Sequence, residues 1–120
     1  MIYIGTDIVQ ISRINKIIME KGKLFLNHVF TNDEQTICDS KASPSIHYGG
    51  KFAAKEALKK AILSSQTMNH LPLISIEILN KIDGIPVVKL KDKAFENVNL
   101  QVSISHTEKY ATATAVLEVI

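Results

Sequence analysis

Three residues in this chain have the types and spacing for phosphate chemistry: Asp7, Glu56 and Lys60. Asp7 lies at the end of the apolar stretch IYIGTDIV, where a carboxylate is costly unless it is hydrogen-bonded, paired or metal-bound. Glu56 lies in KFAAKEALKKA (51–61), which reads as a helix with core-like neighbours Phe52, Ala53 and Ala57. Two carboxylates at element ends suit Mg2+, which takes one or two protein oxygens, keeps several waters and binds substrate phosphate. Lys60 follows Glu56 by one helical turn on the same face, and a cation there could hold a further phosphate oxygen. The same spacing also suits a solvated Glu–Lys pair on a helix surface, worth a few tenths of a kcal/mol.

A second group is SISHT (103–107), which puts Ser103, Ser105 and His106 at a strand end. A Ser–His hydrolase has weak support, because the chain has no G-x-S-x-G elbow. His106 stays open between a structural and a catalytic role. The chain has neither a Walker A loop nor G-x-G-x-x-G, and its one cysteine, Cys38, supports neither a zinc pattern nor an internal disulfide. Cys38 is expected to be structural.

These groups need positioning. IYIGTDIV reads as a buried strand ending near Asp7, with Gly5 allowing close backbone approach. Ile11, Ile14, Ile17 and Ile18 make the apolar stripe of a helix from about Ser12 to Lys21. Thr31 with Glu34 is a capping box for a short helix to about Asp39. Ser43 can cap, and Pro44 can open, a long helix that runs to about Ser64 and is weakened by Gly49–Gly50. LISIEIL (73–79) and VVKL (87–90), joined by DGIP, make a hairpin. LQVSIS (100–105) and ATATAVLEV (111–119) make a second pair. Helices fill the first half and strands the second, with one early strand, so the expected fold class is α+β with an antiparallel sheet. Residues 1–120 are expected to form one domain.

At 120 residues and 46% hydrophobic, the chain can bury a real core. No apolar run nears the roughly 18 residues of a membrane span. MIYIGTDIVQISRI has no basic flank before its apolar residues, unlike a signal peptide, so a cytoplasmic protein is expected. Net charge is +2 and the pI about 8.7, too mild to require nucleic acid. Arg13, Lys16, Lys21 and Lys23 cluster with only Glu20 against them, which suits either an acidic partner or a solvated helix face.

IGTDI (4–8) followed by FAAKEALKK (52–60) resembles the paired signature of the 4'-phosphopantetheinyl transferases. Phe52, Ala53, Lys55, Glu56, Ala57 and Lys60 each meet that pattern. FTNDE (30–34), DGIP (83–86) and SISHTEKYATATAVLE (103–118) resemble segments of the short members, the holo-[acyl-carrier-protein] synthases. The resemblance implies transfer of the 4'-phosphopantetheine arm of coenzyme A to a serine of apo acyl carrier protein, leaving adenosine 3',5'-bisphosphate. It implies Mg2+ on Asp7 and Glu56, with Lys60 on the pyrophosphate. The base is Glu56 or a metal-bound water.

The resemblance also puts Lys51 near the 3'-phosphate, Gly84 and Pro86 on the nucleotide rim, and His106 near the coenzyme. Lys55 either contacts phosphate or pairs with an acid elsewhere. Arg13, Lys16 and Lys21 would meet the acidic carrier protein. The short length implies a homotrimer with sites between subunits. Two features depart from the family pattern: ILSSQTM (62–68) has no glycine where relatives carry a Gly-Thr-Gly-like turn, and Lys51 stands where many carry Arg. The alternative is a coenzyme A- or phosphate-binding module on the same fold that does no chemistry.

Overall fold

The first strand does not stop near Asp7. In the computed structural model, which describes residues 1–66, 68, 70–91 and 97–120, β1 runs Ile2–Gln10. Helices α1 (Ile11–Lys21), α2 (Lys23–Val29), α3 (Asn32–Asp39) and α4 (Pro44–Ser64) follow. A 3₁₀ turn (Leu73–Ser75) leads into β2 (Ile76–Asn80) and β3 (Pro86–Leu90), and β4 (Val98–His106) and β5 (Tyr110–Val119) end the order. The fold is α+β, and its strands divide into two antiparallel sheets, β1–β5–β4 and β2–β3.

Helix boundaries follow local chemistry. Thr31 and Glu34 form both bonds of a capping box at the start of α3. Pro44 opens α4, but Ser43 makes no side-chain capping bond, contrary to the sequence reading. The seven-residue α2 was not expected; it turns Leu26 and Val29 inward. The hairpin strand starts at Ile76, because Leu73–Ser75 winds as a 3₁₀ turn.

Helix α4 lies between both sheets and is buried around most of its circumference between Ala53 and Ile62. Gly49, Ala53, Ala57 and Ala61 recur every four residues and make a flat stripe, so a strand can lie close on it. Strand β1 does so at Gly5, where an added Cβ would sit 1.9 Å from Ala57 O. Gly49 and Gly50 therefore serve packing: a Cβ on either would meet Ile11 or Ile104. On β5, Ala111, Ala113, Ala115 and Leu117 face α4, while Thr112 and Thr114 face outward. A second core joins Ile14, Leu26, Val29, Phe30, Cys38 and Tyr48. Phe30 and Tyr48 meet edge-on at 5.0 Å between ring centres.

Candidate functional site

The close seat of β1 on α4 decides where Asp7 goes. Gly5 lies over Ala57 and Ala61, and Val9 approaches Gly49. Asp7, midway along the same strand face, therefore faces the middle turns of α4. Its carboxylate meets Lys60: Nζ donates to Asp7 Oδ1 at 3.1 Å and to Thr6 O at 2.9 Å. The lysine side chain is 54% exposed and that of Asp7 17%, so the pair lies at the surface of a cavity of about 360 Å³ floored by Thr112 and Thr114. The Glu–Lys contact considered from spacing is not the one formed, since Lys60 reaches across to β1. Glu56, one turn earlier on the same face, is half-buried and has no polar partner among the described residues. The structure thus brings Asp7 and Lys60 together, with Glu56 one helical turn before Lys60 on α4.

A second, larger cavity of about 640 Å³ opens where α4, the β2–β3 turn and β4 meet. Gly84, Pro86, His106 and Lys51 all line it. Gly84 holds φ of +87° in the turn, a conformation that suits glycine. Lys41, His47 and Lys81 line the cavity too, and no Asp or Glu is among its described lining residues. Burial and then the nearby charges of Lys41, His106 and Lys51 hold the His47 imidazole below its usual range. Five basic side chains around one concave space make a site for an anion. Lys41, His47 and Lys81 were not read from the sequence, because they come from three separate segments with no shared motif. The two cavities share no lining residue. Asp7 stands on β1 and His106 on β4, at opposite edges of the sheet.

Of the two roles open to Lys55, the structure takes the pairing with an acid and not the coenzyme contact. Its side chain is fully buried. Nζ donates to Glu34 Oε1 at 2.7 Å and to the carbonyls of Val29, Leu73 and Ile76 at 2.7, 3.1 and 2.6 Å. Its hydrogens are committed inside the protein, so no phosphate can reach them. Desolvation pulls the ammonium below the usual lysine range, and Glu34 opposes that shift. Glu34, legible in the sequence only as a cap, also accepts from Ile78 N through Oε2 at 2.9 Å. Lys51 is 5% exposed. It donates to Ile78 O at 2.7 Å and Asn80 Oδ1 at 3.1 Å, so two of its three N–H groups are already used.

Cys38 is buried, and loss of solvation pushes its thiol up to about 12, which fits a structural thiol. Arg13, Lys16 and Lys21 are exposed along α1. Lys16 meets Glu20 at 4.0 Å, with both side chains mostly in solvent. The glycine-free stretch after α4 reaches Gln66, which takes φ of +59°; Thr67 lies outside the described residues.

The family described as the 4'-phosphopantetheinyl transferase superfamily matches residues 3–115. A holo-[acyl-carrier-protein] synthase of Protochlamydia amoebophila is 42% identical over 116 residues, covering 94% of each chain. One from Chlamydia pneumoniae is 39% identical over 119 residues, covering 97% of this chain and 96% of its own. The ACPS-CoA complex of Chronobacterium ammoniagenes superposes with a TM-score of 0.87 at 27% identity, covering 100% of this chain and 98% of that one. The Helicobacter pylori holo-[acyl-carrier-protein] synthase in complex with coenzyme A gives 0.79 at 29% identity, over 96% and 99%. The chain belongs to the 4'-phosphopantetheinyl transferase superfamily and groups within it with the holo-[acyl-carrier-protein] synthases.

Proposed function

We propose that this protein moves the 4'-phosphopantetheine group of coenzyme A onto a serine hydroxyl of apo acyl carrier protein and releases adenosine 3',5'-bisphosphate. Full-length similarity to synthases named for that product carries the reading. The geometry agrees with it: a basic cavity of nucleotide size lies on one sheet edge, and the Asp7–Lys60 pair on the other, with Glu56 one helical turn from Lys60.

In the reaction the serine oxygen attacks the pantetheine-bearing phosphorus. The P–O bond to the bridging oxygen breaks, and its electron pair leaves with the bisphosphate. The serine proton passes to Glu56 or to water. Lys60 supplies positive charge where the pyrophosphate oxygens gain negative charge. The basic cavity holds the nucleotide end, with His106, Gly84 and Pro86 on its wall, and so aligns the phosphorus.

Asp7 and Glu56 fit a small hard dication. Both offer carboxylate oxygens, Glu56 has no other polar partner among the described residues, and Asp7 already holds a cation in Lys60. Mg2+ bound there would neutralise phosphate oxygens. The protein acts as a homotrimer in the cytoplasm, in fatty acid biosynthesis. Support for the trimer is the split of the site: the two halves share no residue in one chain, and the outer face beside Asp7 exposes Ile2, Ile4 and Ile8. One copy's basic cavity would then be completed by its neighbour's Asp7, Glu56 and Lys60. Arg13, Lys16 and Lys21 receive the acidic carrier protein.

The test is the intact mass of apo carrier protein after incubation with this protein, coenzyme A and Mg2+. A gain of one phosphopantetheine is expected. Coenzyme binding with no gain would select the non-catalytic module instead.

A further inference from the structure

Strand β2 pairs with β3 along one edge only. Its other edge lies against α3 and α4, and no strand of the described residues covers it. Three charged side chains take the place of that strand. Ile76 O accepts from Lys55, Ile78 N donates to Glu34, and Ile78 O accepts from Lys51. Lys51, Lys55 and Glu34 are each at most 5% exposed, so every one of these bonds is shielded from water. The next residue on that edge, Asn80, extends the series. Its Oδ1 accepts from Lys51, and its Nδ2 donates to Gly84 O at 3.0 Å. A chain of hydrogen bonds therefore runs from α4, through Lys51 and Asn80, into the turn that walls the basic cavity.

We propose that Lys51 and Asn80 are positioning residues, which hold the 81–86 turn at a set distance from α4, and that Lys51 does not grip a coenzyme phosphate. This rests on the reading that the cavity takes the nucleotide end of coenzyme A. The turn has little else to fix it. Ile82, Asp83, Gly84 and Ile85 are all exposed, and Ile82 is fully so. Among the described residues its other bonds are internal: Gly84 N to Lys81 O, Lys81 N to Ile85 O, and Ile85 N to Asp83 Oδ1. Such bonds keep the shape of a turn without tying it to the rest of the molecule. Asn80 supplies the tie, and Lys51 orients Asn80. Phosphate charge in the cavity is left to exposed basic side chains that have no such duty, Lys41, Lys81 and His106.

The test compares Asn80→Ala and Lys51→Met with the wild type. Binding of coenzyme A and of 3'-dephospho-coenzyme A is measured by calorimetry, which does not depend on transfer. Amide hydrogen exchange at Lys81 and Gly84 is followed without ligand. Positioning predicts that both coenzymes lose about tenfold in affinity in both variants, so that their ratio stays within about twofold of the wild type. It also predicts at least about tenfold faster exchange at Lys81 and Gly84 in Asn80→Ala, whose side chain is at the surface and whose fold should survive. Asn80→Asp keeps an acceptor for Lys51 but loses the donor to Gly84, and should behave like Asn80→Ala. The idea is overturned if Lys51→Met removes the preference for the 3'-phosphorylated coenzyme while Asn80→Ala binds normally. Unchanged exchange in Asn80→Ala overturns it too, even if no coenzyme binds. A wild type that binds coenzyme but transfers nothing overturns the transferase reading alone.

Discussion

Gly5→Ala tests how the strand–helix seat controls the site. The new methyl carbon would lie 1.9 Å from Ala57 O and 2.8 Å from Ala61 N. Ordinary C···O contact begins near about 3.3 Å, so β1 must retreat from α4 by roughly 1.4 Å. Both clashing atoms are backbone, so no rotamer change can relieve the contact. The strand would carry Asp7 with it and stretch the 3.1 Å contact to Lys60 beyond hydrogen-bond range. Overpacking costs about 1–3 kcal/mol where side chains can yield, and this site belongs at or above the upper end. At about 4 °C per kcal/mol for a chain of this size, the melting temperature should fall by about 12 °C. Gly50→Ala is the control. Its methyl would meet Ile104 Cγ2 at 3.2 Å, a side chain that can move, so a drop of only a few degrees is expected. Calorimetric melts, with transfer assayed at a temperature where both variants are folded, read the two effects separately. A Gly5→Ala protein melting within 3 °C of wild type and transferring at the normal rate would refute the seat as the cause of Asp7's position.

Asp7→Asn and Glu56→Gln should each remove most transfer and leave the melting temperature nearly unchanged, because the Asp7–Lys60 pair is partly solvated and worth about 0–1 kcal/mol; near-normal turnover at limiting Mg2+ would reject the site. Arg13→Glu should raise the KM for carrier protein and flatten its salt dependence while sparing the KM for coenzyme A, and equal damage to both constants would place Arg13 elsewhere. Gln66→Gly should raise the melting temperature by about 2–5 °C, because a left-handed conformation costs an L-residue about 1–2 kcal/mol and glycine gives back part of that gain in the unfolded chain. A fall in the melting temperature would show that the Gln66 side chain holds the turn.

What could be read in advance depended on range. The Thr31–Glu34 box, the Pro44 start and the alternating β5 are local patterns, and each forms as expected. Helix α2 was hidden because its seven residues give barely two turns, too few for a stripe to stand out between Gly22 and Phe30. Lys55 was half legible, with a partner acid allowed but unnamed. That partner lies 21 residues away, and the carbonyls that share Lys55 come from segments on either side of α4. Burial of a lysine is rare enough that no composition rule favours it. Asp7, Glu56 and Lys60 stood out as a group through the family signature. Sites split between subunits were expected through the family resemblance and the short length, but the cause of the split, β5 standing between β1 and β4, had no trace in the order of residues.

That strand order bears on how the chain reaches its native state. Among the described residues strand β1 has one partner, β5, in a register running from Ile2 opposite Glu118 to Gln10 opposite Tyr110. Strand β1 therefore waits for β5, which lies about a hundred residues further along. Until residues 110–119 emerge, Ile2, Ile4 and Ile8 sit on a strand with neither edge paired, a template for wrong association. Closing so long a loop is entropically slow, and it comes late. Asp7 rides on that strand, so the carboxylate end of the site forms only once β5 is in place, and the β4 wall of the basic cavity waits for the same strand. A chain stalled short of β5 would hold neither half in place, because β5 is the sheet neighbour of both β1 and β4.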